Sequence, residues 1–111
     1  MSRAKWLTMS GALLLISAPD ARAETAVPMS GITSMWNAWY QDSLAIRTSA
    51  TEASAGCPTT GVYVTDPQNP ASKLIQPMII SAYMARRKVA LTLDGCLMNS
   101  YPIIISVSVE P

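Results

Sequence analysis

The sequence of 111 residues contains no histidine, only two cysteines and only 14% charged residues, which net to +1. Without histidine, neither a Ser-His-Asp nor a Cys-His arrangement can be built, and the commonest neutral metal ligand is missing as well. The near balance of charge removes the electrostatic case for nucleic acid, because no basic excess is present to neutralise phosphates. The length allows one domain at most. These shortages leave little of the familiar catalytic equipment.

What is present begins with an address. Residues 1–23 have the three parts of a secretory signal peptide. Arg3 and Lys5 form a positive start, Trp6 to Ala18 an apolar run, and Ala21-Arg22-Ala23 a small-x-small cleavage site. The apolar run is short for a membrane anchor, and Pro19, Asp20 and Arg22 end it abruptly, which disfavours an uncleaved anchor or a buried helix. Cleavage after Ala23 is expected to leave residues 24–111, exported to the periplasm or secreted. No second long apolar segment follows, so the processed product is expected to be soluble outside the cytoplasm. It carries Arg47, Lys73, Arg86, Arg87 and Lys88 against Glu24, Asp42, Glu52, Asp66, Asp94 and Glu110.

A domain this small is marginal without a staple or a partner. Cys57 and Cys96 both lie in the exported part, and an even number of cysteines in an oxidising compartment reads as one disulfide. Closing a loop of about 40 residues contributes roughly 4 kcal/mol in the chain-entropy model, less any strain. The competing reading is two free thiols or half a metal site. It would need further ligands, with histidine absent, so no metal and no cofactor is expected.

Beyond a flexible leader at 24–30, which contains Pro28, the pattern turns to β over 31–111. Ile32 to Tyr40 is rich in β-branched and aromatic residues. Gln41-Asp42-Ser43 reads as a tight turn, and Leu44, Ile46 and Thr48 alternate with Ala45, Arg47 and Ser49. The two runs should form a hairpin. Residues 49–60 read as a surface loop carrying Cys57. Residues 61–65 read as a short strand with Val62 and Val64 on one face and Tyr63 on the other, and the two prolines of 66–70 fix a turn.

Residues 72–87 switch to helical spacing, with Ile75, Ile79 and Ala82 as a core-facing stripe and Met78 beside them. Ser72 is the candidate N-cap. Pro77 conflicts with a straight helix and predicts either a kink or a start near Gln76. Arg86, Arg87 and Lys88 are read as complementing the helix dipole, with a functional basic patch as the alternative. Val89, Leu91 and Leu93 alternate in a further strand, 95–102 reads as a loop holding Cys96, and Ile103, Ile105, Val107 and Val109 share one face of the last strand. The fold class is therefore mainly β with one helix, in the order β-β-β-α-β-β. That order matches a small five-stranded OB-like Greek-key barrel, with an open α+β sheet as the alternative.

The run Ala82-Tyr83-Met84-Ala85-Arg86-Arg87-Lys88-Val89-Ala90-Leu91, then Asp94-Gly95-Cys96 and Tyr101-Pro102-Ile103-Ile104, resembles the C-terminal half of small secreted OB-fold proteins. These include the B subunits of bacterial AB-type toxins of the subtilase-cytotoxin and typhoid-toxin kind. The resemblance covers about residues 57–109 and is diffuse. It implies a pentameric ring whose helices line a central pore, glycan-binding pockets on the barrels, and an enzymatic A subunit docked on one face. The mature length is short for such a subunit, and no Ser-x-Tyr-type sialic-acid pocket aligns near the first strands, so no pocket residue is carried over.

Read from the residues themselves, catalysis has little support, because the six carboxylates are scattered without a local pair. The product is expected not to be an enzyme. Sugar binding needs an aromatic face and nearby polar groups. Trp36, Trp39 and Tyr40 with Asn37, Gln41 and Asp42 supply both within seven residues. Asn37 and Trp39 share strand parity and are the ligand candidates, with Tyr63 as a weaker third, although packing of all the aromatics is the bland alternative. Met78, Tyr83 and Met84 widen the apolar surface of the helix and are candidates for an oligomer interface, or else core filler. The leading expectation is a non-enzymatic, oligomeric binding subunit that recognises a host surface glycan. The alternative is a stand-alone periplasmic or secreted structural or inhibitor-like domain without a sugar ligand.

Overall fold

The structure is a computed structural model that describes residues 24–38 and 41–111. Residues 1–23, expected to be a signal peptide, and the aromatic pair Trp39 and Tyr40 lie outside the described residues. Among those described, the chain is mainly β with one helix. Strands β1 (Thr25–Ser30), β2 (Ile32–Asn37), β3 (Leu44–Thr48) and β4 (Tyr63–Val64) precede helix α1 (Ser72–Met84), and β5 (Val89–Leu97) and β6 (Tyr101–Val109) follow it. They form a six-stranded sheet in the order β1-β5-β6-β4-β3-β2. All neighbours are antiparallel except β4 and β6, which run parallel at Val64 and Ile103.

The strand count differs from the five expected because residues 25–30 are a strand and not a loose leader. Thr25, Ala26 and Val27 pair with Leu93, Thr92 and Leu91, and Val27 is only 1% exposed. Pro28 hides this from a reading of the sequence. It is tolerated because it falls where the β1–β5 register slips, on the exposed side of a strand at the end of the sheet order. The β2–β3 hairpin pairs Asn37 with Leu44, Trp36 with Ala45 and Met35 with Ile46. Its β2 arm is assigned as strand only to Asn37, after which Ala38 N–H donates to Ser43 O at 2.9 Å.

Helix α1 runs through Pro77 for 13 residues from Ser72, so of the two expectations, a kink or a start near Gln76, the late start is corrected. The amide that Pro77 lacks would have bonded the carbonyl of Lys73. Both residues lie on the exposed side, where that carbonyl is open to solvent and need not be left unbonded. Ser72 is not the N-cap either. It is the first helical residue, buried, and its hydroxyl donates to Asp66 O at 2.8 Å. At the other end no basic residue lies in the last turn. The backbone closes the helix instead: Arg86 N–H bonds Tyr83 O and Arg87 N–H bonds Ala82 O, with Arg86 left-handed at φ 58°. This is a Schellman arrangement.

The core forms where Ile75, Ile79 and Ala82 of α1 meet Val27, Ile46, Tyr63, Val89, Leu91, Leu93 and Ile104 from the sheet. A smaller cluster of Ala38, Ala45, Val62, Val64 and Leu97 lies on the other face of β3 and β4, with Trp36, Tyr101 and Ile103 against it. In β6 the expected single apolar face is broken. Thr92 stands opposite Ser106 and Leu93 opposite Ile104, so Ile105 is an inserted residue and the side-chain parity flips there. Ile104 therefore enters the core fully buried, while Ile105 does not. The loop expected at 95–102 shrinks to a tight turn, with Met98 and Asn99 both at positive φ (51° and 58°) and Ser100 N–H bonding Leu97 O. The disulfide Cys57–Cys96 is formed, with a Cα–Cα distance of 5.7 Å, and ties the loop before β4 to β5. Thr59 reinforces the tie through its amide to Ser100 O at 3.0 Å.

Candidate functional site

Two surfaces carry the sequence-derived candidates. The first lies where the tip of the β2–β3 hairpin meets the first half of α1. Gln76 holds these elements together, its amide donating to Asp42 O at 2.6 Å and to Thr65 Oγ1 at 2.7 Å. Thr65 Oγ1 also accepts from Leu44 N–H, and Ser43 Oγ donates to Thr65 O at 2.6 Å. This network fixes the hairpin against the helix and leaves two adjoining clefts of about 340 and 410 Å³. Asn37, Asp42 and Gln76 line both. Lys73 and Asn69 complete the polar cleft, and Trp36 walls the more apolar one.

Asn37 is exposed in this cleft, as a ligand contact must be. Trp36 is half-buried, with the Arg47 guanidinium 5.8 Å from its ring centroid, a cation–π contact that occupies part of the ring. Trp39 is outside the described residues, so its side chain is not placed. Tyr63 is corrected: it is 1% exposed in the main core, and its hydroxyl accepts from Ala53 N–H at 3.0 Å. A ring with both faces packed cannot stack on a sugar. Strand parity did place Tyr63 opposite Val62 and Val64, but both faces of β4 are covered, so parity there does not mean exposure.

The second surface is the outward face of α1. The helix, of sequence SKLIQPMIISAYM, carries one charged residue, Lys73. Its inward stripe is Ile75, Ile79 and Ala82, yet Leu74 is 69% exposed, Met84 75%, Ile80 42% and Tyr83 37%. Met78, half-buried, lines an apolar groove of about 460 Å³ with Leu74, Pro77, Ser81 and the β6 end at Val109. Met78, Tyr83 and Met84 thus lie on or beside this face, and Leu74 and Ile80 are the members that the stripe argument missed. The signal available for them was the scarcity of charge along the helix, since a solvated face normally carries several charges.

Each of these clefts carries at most one carboxylate, Asp42 in the first region and Glu110 in the groove. Among the described residues no helix is long and apolar enough to cross a membrane. Comparison with protein-family models, with known proteins and with solved structures returned no match.

Proposed function

We propose that the chain is the exported, non-enzymatic binding subunit of an assembly, a small OB-like barrel that associates through α1 into a ring, on the resemblance a pentamer, and presents a glycan-binding cleft. The observation that carries this reading is the outward face of α1. A helix that is apolar on both sides needs cover on both, and one chain supplies it on one side only. A second copy of the same helix has the matching chemistry.

The barrel reading is supported by the two ends of the sheet order. β1 and β2 are separated in the chain by Gly31 alone. Ser30 pairs with Val89 of β5, while Gly31 O accepts from Ser49 N–H at 2.9 Å next to β3. Taken as one bent strand shared between the ends of the sheet, β1 and β2 would reduce the six strands to the five of the proposed barrel. The parallel β4–β6 contact and the helix between β4 and β5 fit the OB order. The disulfide supports an oxidising compartment and so export, for which the sequence offers a signal peptide with a cleavage site after Ala23.

For the ligand, the amide of Asn37, the carboxylate of Asp42 and the ammonium of Lys73 face one cleft, with Trp36 in the next. Donors, acceptors and an aromatic wall together suit a polyhydroxylated ligand. Trp39 follows Asn37 by two residues and remains the proposed stacking partner. The test is a glycan-binding screen on the oxidised protein from an exporting host. Asn37→Ala and Lys73→Ala are each expected to weaken the best hit about tenfold with thermal stability unchanged. A hit that survives both substitutions overturns the placement of the site, and a screen without hits overturns the glycan.

A further inference from the structure

Arg86, Arg87 and Lys88 are three of the five basic residues that follow position 23. Compensation of the helix dipole needs no direct bond from these side chains, and among the described residues none of them bonds a helix carbonyl. The helix ends at Met84 and its last carbonyls are taken by the amides of Ala85, Arg86 and Arg87, leaving the guanidinium groups outside the cap. Both arginines are exposed and line a concave cleft of about 570 Å³ between the end of α1 and the start of β2. Ile32, Tyr83 and Met84 give it an apolar wall, Thr33 is the residue that the β2–β3 register skips, and no acidic side chain lines it. Glu110, which shares the neighbouring groove with Arg87, accepts from Lys88 N–H at 2.7 Å. Arg86, moreover, occupies a left-handed position where glycine would be the least strained choice.

We propose that this cleft binds an acidic, extended segment of a protein partner, its carboxylates on Arg86 and Arg87 and its aliphatic side chains on Ile32, Tyr83 and Met84. Arginine suits this role because its planar fork meets a carboxylate with two parallel hydrogen bonds. The concavity favours an inserted segment over an anionic membrane surface, which would need the cations on a plane. The cleft is built within one chain but shares Tyr83 and Met84 with the helix face proposed to meet a second copy, so its binding is read on the Leu74→Glu variant beside the wild type.

The experiment is fluorescence anisotropy of the oxidised protein with a short labelled peptide of mixed Glu and Leu. A Lys and Leu peptide serves as the charge control, and phosphatidylserine-containing vesicles are the competing surface. The acidic peptide is expected to bind, to weaken with added salt, and to lose about tenfold or more in affinity in Arg86→Glu/Arg87→Glu with an unchanged melting temperature. Thr51→Glu/Ser106→Glu, which moves the net charge through exposed positions elsewhere, is expected to bind as the wild type does. The proposal is overturned by absence of binding, by equal loss in both double variants, or by vesicles that outcompete the peptide. Should the double reversal fail to fold, Arg87→Gln alone decides, with a severalfold loss expected and unchanged affinity counting against the cleft.

Discussion

Gly61 has φ +81°, and a Cβ built on it would lie 2.8 Å from the Glu52 side chain, which in turn accepts from Thr60 Oγ1 at 3.0 Å. Two separable penalties therefore attach to Gly61→Ala: a left-handed backbone cost of about 1–2 kcal/mol and a clash. We expect the substitution to lower unfolding free energy by about 2–3 kcal/mol, and by about 1 kcal/mol less in a Glu52→Ala background, measured by urea denaturation. Equal losses in the two backgrounds would mean that the clash is not felt. Arg86 presents the reverse case. Arg86→Gly relieves a left-handed residue at the helix end and should raise stability by about 0.5–1 kcal/mol after the added entropy of the unfolded chain is subtracted. A fall in stability on thermal melting would place an unrecognised role on its side chain. The sequence showed that glycine and arginine stand at these positions, but not the sign of φ, which depends on what each turn connects. Tyr63 was misread for a related reason: alternation assigns a face, and only the fold decides whether that face meets solvent or core.

The last strand shows how far alternation reaches. Ile103, Ile105, Val107 and Val109 form a clean period-two pattern, yet the insertion at Ile105 moves Ile104 into the core. Ile104→Ala is expected to cost about 2–4 kcal/mol, and Ile105→Ala about 1 kcal/mol or less, by denaturant titration. The opposite ranking would restore the unbroken strand. The helix was the more legible element. Its inward stripe of Ile75, Ile79 and Ala82 follows directly from the spacing, while its passage through Pro77 did not, because the penalty depends on whether the orphaned carbonyl meets water. β1 was the least legible. A polar, proline-containing segment becomes a strand because β5 offers it an edge and Val27 a core position, and both are tertiary facts. The disulfide was read from cysteine count alone, and the fold places its two ends on a loop and a strand that also meet through Thr59 and Ser100.

For the whole molecule, the class, mainly β with one helix, was legible because strand and helix periods differ so plainly, whereas the pairing of strands distant in sequence was not. The assembly rests on a single physical claim: the outward face of α1, with Leu74 69% and Met84 75% exposed, is covered by another copy of the chain. Burying two such large side chains contributes at most about 1.5–3 kcal/mol each at every interface, a share of the association cost that Ile80, Tyr83 and the remaining contacts around the ring must complete. The most direct measurement is the solution mass by light scattering of the oxidised, processed protein, beside its Leu74→Glu variant. The account predicts a stable multiple of the chain mass for the wild type, five copies if the resemblance holds, and a folded monomer for the variant. A monomeric wild type at working concentrations would contradict it, leaving the apolar helix face without the cover proposed for it and favouring a stand-alone domain.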